Sequence, residues 1–387
     1  MDREETVIKT YDWIVIGGGI TGAALAYELV KTGCSVLLLE KDAIPQNATR
    51  YSYGGLAYWS GTTPLTRQLC QEAITRYQIL PQELDADIEL RELDLLLTIG
   101  NDSDPQATAA LYAQCAVPPR LLSVLEACEL EPLLNREAIA GALTVKHGHI
   151  HPDKTAQAYI QAFIRAGGEL QIVEVAHIFA GGVNTTQRTY HSANVVVCAG
   201  GLSRQLLKTA GISIKLYFTH AEIIATPPVS LRLNTLVMPA NLQRFKLESA
   251  STSVDEFWNE PHHQALPPIL DAGAIQFLDG SLRLGQISRV FTDPYAQFNS
   301  EASEHWLRQS IAQIVPALGN LPGTRHHCLV AFSSNSLPLI GRLPGFSGIY
   351  IFSGFSNPLV FVPPLAQRFA QFLAGYQDDI IIQLSPQ

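Results

Sequence analysis

The sequence predicts a two-domain protein of the α/β class (α+β in its overall make-up). One domain is a largely parallel, helix-covered sheet assembled from separated stretches of chain. The other is an antiparallel sheet with helices, threaded through the first. Three observations carry this. "DWIVIGGGITGAALAYELVKTGCSVLLLEKD" (12–42) reads strand, glycine turn, helix, strand. "NVVVCAGGLSRQLL" (194–207) reads strand, glycine turn, helix. "IKLYFTHAEIIATP" and "AIQFLDGSLRLGQIS" alternate in the manner of half-buried antiparallel strands. On this pattern 1–80, 145–212 and 325–387 form the discontinuous first domain, and 81–144 with 213–324 form the second.

Taken in order, 11–17 is an apolar strand, 20–32 a helix and 35–40 a second strand. Thr63 as N-cap and Pro64 at the first helical position open a helix over 64–77. A strand over 94–99 precedes helices over 105–116 and 121–134. Residues 152–166 read as helix and 170–179 as strand. Asp279-Gly280 between two apolar runs is a two-residue hairpin signal. A helix over 303–318, a strand over 348–354 and a last helix over 361–374 complete the chain.

The 387 residues are enough for a large core and two domains, and 47% apolar with 16% charged is ordinary globular composition. A formal charge of −9 argues against nucleic acid or an anionic membrane as partner. The start Met-Asp-Arg-Glu-Glu leads into no apolar segment, which argues against a secretory leader, and no apolar run reaches membrane-spanning length. The six cysteines (Cys34, Cys70, Cys115, Cys128, Cys198, Cys328) form no CxxC, so no zinc cage is expected, and dispersed thiols fit a reducing cytoplasm.

Gly17, Gly19 and Gly22 make GxGxxG between a strand and a helix. The first glycine permits the tight turn, the second admits a pyrophosphate to the helix N-terminus, and the third lets helix and strand pack closely. Ile20 and Thr21 complete the first helical turn. Glu40 ends the second strand, followed by Lys41; an acid there accepts both ribose hydroxyls and repels a 2′-phosphate. An adenine dinucleotide site of the Rossmann type follows.

A polar, glycine-ended loop, "TRYSYGG" (49–55), and the later strand ending in "CAGG" (198–201) extend the pattern. With them the sequence resembles, over nearly its whole length, the FAD-dependent amine and amino-acid oxidoreductases that include D-amino-acid oxidase, glycine oxidase and monomeric sarcosine oxidase. The resemblance implies a glutathione-reductase-like FAD-binding domain. It implies FAD held by Glu40, Lys41 and the loop residues Thr49, Arg50, Ser52, Gly54 and Gly55. Val175 would meet the adenine, Ala199 and Gly200 would pass beneath the cofactor, and Gly354, Phe355, Ser356, Asn357 and Leu359 would form the last flavin segment. There a helix N-terminus would stabilise the anionic reduced flavin. Cys328, seven residues before Asn335, stands where the sarcosine-oxidase branch carries a flavin-bonding cysteine; it is either that or a buried thiol.

Departures from the family pattern concern the substrate. Val330 and Phe361 occupy the positions of the two usual carboxylate anchors, an Arg and a Lys. Leu359 replaces a glycine common near the flavin edge. Arg50, Arg67, Arg283 and Arg289 are replacement anchors or surface charges. Tyr51, Tyr53, Tyr58 and Trp59 line an aromatic pocket or belong to the core. His220 is an active-site or a core histidine, and His147, His149 and His151, on alternate positions, are read as structural and not as a metal site. The catalytic candidates are therefore Tyr51, Tyr53, His220, Arg50 and Arg283. The resemblance implies hydride transfer from an amine or amino-acid α-carbon to flavin N5, giving an imine, with oxygen or another electron acceptor. Simple small amino acids are expected to be poor substrates. The alternatives are a dehydrogenase feeding a quinone or protein carrier, and a flavin-binding partner or assembly protein with little turnover.

Overall fold

A computed structural model describes residues 9–260, 262–264 and 266–387. The acidic start, Met1 to Glu5, lies outside the described residues. The chain runs β1 (Thr10–Ile16), α1 (Ile20–Lys31), β2 (Val36–Glu40), α2 (Ala48–Tyr51), β3 (Gly55–Leu56), α3 (Pro64–Glu83), β4 (Arg91–Gly100), α4 (Pro105–Ala110), β5 (Arg120–Leu122) and α5 (Val124–Leu130). It continues through β6 (Ile139–His149), α6 (Pro152–Arg165), β7 (Glu169–Ile172), β8 (Val175–Phe179), β9 (Gly182–Thr185), β10 (Thr189–Val197), α7 (Ser203–Thr209), β11 (Leu216–Ala225) and β12 (Leu236–Pro239). Then come α8 (Gln243–Ser251), β13 (Ile269–Gln276), β14 (Leu282–Arg289), α9 (Ser300–Ile314), β15 (Thr324–Ser333), β16 (Leu339–Arg342), β17 (Ile349–Ser353), α10 (Pro358–Leu373) and α11 (Asp379–Leu384).

The first sheet has the order β16-β17-β10-β1-β2-β7 and is parallel except for β16; β8 and β9 continue from β10. Its central strands are apolar on both faces because both faces are covered. Residues of α1, α3, α6 and α10 pack on one side, with Trp13, Val15 and Leu38. Residues of β8, β9 and α7 pack on the other, with Ile14, Leu37 and Val195. The strand expected over 170–179 is two strands: β7 pairs with β2, and β8 leaves to pair with β9.

The second sheet has the order β15-β11-β14-β13-β12-β4-β6-β3, with β5 beside β6. All of its pairs are antiparallel except β12 with β4. The divisions expected at 145 and 325 fall inside β6 and β15, both strands of this sheet. Asp279-Gly280 lies in a three-residue loop, not a two-residue one. Phe277 N–H donates to Ser281 C=O at 2.8 Å around Leu278, Asp279 and Gly280, whose φ of +90° closes the turn. One face of the sheet packs on α9 through Ile224, Leu284, Ile287 and Leu307. The other face meets α2 and the loop after it.

Two helix starts differ from expectation for local reasons. The Ser123–Glu126 capping box delays α5 to Val124, after β5. Pro358 at the first position starts α10 three residues early. Pro363 inside α10 removes the N–H that Leu359 C=O would accept, and the buried Tyr77 hydroxyl donates to that oxygen at 2.6 Å instead.

Candidate active site

The carboxyl ends of β1, β2 and β10 meet at the glycine loop. Gly17 takes φ +106°, and a Cβ there would lie 2.6 Å from Cys198 O, so Ala199 and Gly200 follow immediately beneath the loop. A Cβ on Gly22 would stand 1.9 Å from Gly17 O, which fixes the close packing of α1 on β1. Glu40 is buried at the end of β2. Its Oε2 accepts Gly18 N–H at 2.6 Å and its Oε1 accepts Asp42 N–H at 3.1 Å, leaving lone pairs for further donors. Val173 N–H donates to Glu40 C=O at 2.7 Å and brings Val175 to the same end of the sheet. Lys41 turns outward to Asp42.

Gly19 caps α1 with no side chain of its own. Thr49 Oγ1 fills that role, accepting Ile20 N–H at 3.0 Å beside Thr21. Asn47, which caps α2, stands next to it: a Cβ on Gly19 would lie 3.2 Å from Thr49 Oγ1 and 3.6 Å from Asn47 Nδ2. The helix N-terminus thus presents N–H donors and small polar side chains around a glycine, the donor set a pyrophosphate takes. With the Glu40 carboxylate over the loop, these residues fit an adenine dinucleotide. Asn47 was absent from the sequence reading; its place five residues before Ser52, capping a four-residue helix, was the available signal.

Beyond α2 the loop lies on the second sheet. Ser52 Oγ accepts Gly54 N–H at 3.2 Å, and Gly54 presses on β6, where a Cβ would stand 2.1 Å from Ile150 O; Gly55 begins β3. The Tyr51 ring stacks on His326 with centroids 4.4 Å apart, and packs with Cys328, Ala221 and Ile223 beside Val330. Tyr53 donates to Gly285 C=O, with Gly273 C=O at 3.3 Å. Arg283 reaches the same face. Its cation lies 5.1 Å from the Phe277 ring centroid, its buried Nε has no hydrogen-bond partner, and among the described residues no carboxylate stands within ion-pair distance. Burial, and then the nearby Arg50, hold its pKa down against the opposing pull of Asp279. His326, set aside with His327 as unremarkable from the sequence, is depressed by burial and by the Arg283 and Arg50 charges. The buried Thr219 hydroxyl, paired across the strands with Val330, is also unpartnered.

The last segment joins the two sheets. A Cβ on Gly354 would lie 2.7 Å from Leu216 Cδ2, the Ser356 hydroxyl donates to Ser336 C=O at 2.8 Å, and Asn357 C=O accepts the first N–H groups of α10. Phe355 and Leu359 are buried in the core of the first domain. Phe361 is there too, whereas Val330 is beside the Tyr51 cluster.

Several candidates lie elsewhere. His220 faces away from α2: its ring stacks on His327, its Nδ1 is 2.9 Å from His327 Nε2, and burial depresses it to about 4. Arg289 sits on that same outer face, paired at 2.7 Å with the fully buried Glu222, which also holds Arg325. Alternation would put Arg283 and Arg289 on one face. A β-bulge, where Ile223 pairs with Gly285 but Glu222 with Ile287, turns the second away. Arg67 is tied to the Gly61 and Gln114 carbonyls. Tyr58 packs near Tyr77, and Trp59 donates to His147 Nδ1 at 3.0 Å. His149 donates to Tyr53 C=O at 2.9 Å, and His151 caps α6. Among the described residues no three His, Cys, Asp or Glu side chains converge as metal ligands.

A family model described as FAD dependent oxidoreductase matches residues 12–372. The chain is 24% identical over 378 residues, 93% of its length, to 4-methylaminobutanoate oxidase (formaldehyde-forming) of Paenarthrobacter nicotinovorans, covering 43% of that protein. It is 29% identical over 248 residues, 60% of its length, to glycine oxidase of Geobacillus kaustophilus, covering 65% of it. The matches thus span less than two thirds of these relatives' own lengths. The crystal structure of glycine oxidase from Geobacillus kaustophilus superposes with a TM-score of 0.76 at 21% identity, over 98% of this chain and 96% of that one; at such identity the likeness shows the fold.

Proposed function

As this chain belongs to the family of FAD-dependent oxidoreductases, we propose that it oxidises the C–N bond of an amine or amino acid, with oxygen or another carrier taking up the electrons. The observation that carries the reading is the cradle of Gly17, Gly19, Gly22 and Glu40, joined by α2 to a sheet face bearing unpartnered polar groups. FAD is the cofactor, and when bound it would supply the hydride acceptor for oxidation of the substrate C–N bond to an imine, which water hydrolyses.

This chain's residues supply binding and orientation. Glu40 would hold the ribose, and Gly19, Ile20, Thr49 and Asn47 the pyrophosphate. Gly354 to Leu359 would bring the α10 N-terminus to the flavin. Tyr51, Tyr53, Ala221, Ile223 and Val330 exclude water from the second-sheet face, and Arg50 with Arg283 makes it electropositive. No helix among the described residues is long and apolar enough to cross a membrane. The six thiols are all free, which supports a reducing, cytoplasmic setting. The test is anaerobic mixing of the yellow protein with a panel of primary and secondary amines. Bleaching of the flavin absorbance by at least one of them is expected; a cofactor that stays oxidised with all, yet bleaches with dithionite, would leave a binding protein in place of an enzyme. Reoxidation by air against a quinone then identifies the acceptor class.

A further inference from the structure

The face that carries Tyr53 also carries a buried acid outside the candidates considered so far. Asp271 is 8% exposed. It sits in a β-bulge of β13, between Leu270, which pairs with Ile287, and Gly273, which pairs with Gly285. Its neighbours Leu270 and Ala272 pack toward α9, so Asp271 is turned the other way, toward Tyr53. Bulges re-aim single side chains in this manner. Its only side-chain donor among the described residues is Gln243, whose Nε2 lies 2.9 Å from Oδ1 and also serves Leu270 C=O at 2.6 Å. Arg244, the cation nearby, is engaged at 3.6 Å with Glu248, and among the described residues no cation pairs with Asp271.

A buried carboxylate with one neutral donor is expensive to keep and is resolved by a cation or a proton. Its pKa is accordingly raised, by burial first, against the Gln243 hydrogen bond and the Arg244 charge. The charged and titratable groups facing it are Tyr53 and Tyr112, both of which feel its charge, and Arg244 and Glu248 on α8. At the Arg position of the family pattern stands Val330, and at the Lys position Phe361, which is core. The two family anchor positions are therefore apolar, and Asp271 offers this face a carboxylate partner for an ammonium.

Resting on the reading above, we propose that Asp271, positioned by Gln243, binds the ammonium group of the substrate, which makes the substrate class a cationic amine. Asp271 is then a specificity-determining residue.

The test uses FAD-loaded holoenzyme and two unreactive probes, tetramethylammonium and acetate, titrated by calorimetry and by perturbation of the flavin spectrum. Asp271→Asn keeps the shape and the Gln243 contact. It should weaken tetramethylammonium at least tenfold and leave acetate unchanged. In the wild type, tetramethylammonium binding should fade on acidification, as Asp271 takes up a proton at its raised pKa. Equal affinities in the two proteins, parallel weakening of both probes, or a wild type that does not bind the cation overturns the proposal. If Asp271→Asn fails to fold, Asp271→Ser takes its place in the same comparison, and equal affinities there sink the proposal. Failure of the broader reading has a different signature: a flavin that no amine reduces, whatever the probe affinities.

Discussion

A methyl group means different things at Gly19 and Gly22, three residues apart. At Gly22 it would meet a backbone oxygen at 1.9 Å, and the α1–β1 contact would have to open. At Gly19 it would meet the Thr49 hydroxyl at 3.2 Å, and a hydroxyl can rotate away. Gly22→Ala should therefore yield protein without bound FAD, Gly19→Ala should keep most of it, and Gly19→Val should lose it by filling the pyrophosphate position. The ratio of flavin to protein absorbance after gel filtration reads all three; full FAD retention by Gly22→Ala would refute the cradle. Cys328 invites a second prediction. It lies beside Tyr51, and burial pushes its thiol up to about 12. Attack on the flavin needs a thiolate, and burial opposes its formation. The FAD should be non-covalent: acid precipitation should release the yellow colour to the supernatant, and colour retained in the pellet would contradict this.

At the scale of elements, what was legible was what is local. The glycine spacing, the strand–helix–strand run and Glu40 lie within one short stretch, and propensity, turn chemistry and pattern agree there. The facing of the second sheet was not legible, because two bulges decide it. Arg283 and Arg289 have the same parity and opposite faces, and Asp271 owes its direction to a register shift invisible in a period-two pattern. Nor does a sequence show that Pro363 leaves a carbonyl for Tyr77, since the two positions are distant along the chain. That contact makes a prediction for α10. Tyr77→Phe strands Leu359 C=O in the core and should cost about 1–3 kcal/mol in urea unfolding. Pro363→Ala restores a helical N–H to the same oxygen, so in that background Tyr77→Phe should cost clearly less. Equal costs in both backgrounds would mean that Leu359 C=O is not the relevant acceptor.

For the whole molecule, three buried histidines set the response to acid. His147, His149 and His220 are 6%, 0% and 0% exposed, and burial depresses them to about 4, about 3 and about 4. Each is satisfied as a neutral ring: His147 accepts from Trp59, His149 donates to Tyr53 C=O, and His220 bridges His327 and Phe291 C=O. Unfolded, each titrates near 6.5. As pH falls below that value the unfolded chain takes up protons that the native protein refuses, so native stability is lost, by up to about 1.4 kcal/mol per pH unit for each histidine. The loss runs from about 6.5 down toward 4. Glu83, held at about 2 by Arg76 and Lys31 against its own burial, is ionised across most of that window and begins to matter only near its lower end. Asp271 and Glu248, raised by burial, act in the opposite sense, since native protein binds their protons first on acidification. Two acids with directional shifts oppose three histidines with large ones, so the histidines should prevail. Melting temperature should therefore drop markedly from pH 7 to pH 5 in the FAD-loaded protein. His220→Gln, which keeps an amide able to donate to Phe291 C=O, should be less stable at pH 7 but flatter with pH. A wild-type melting temperature that holds constant to pH 5 would contradict this account of the three histidines.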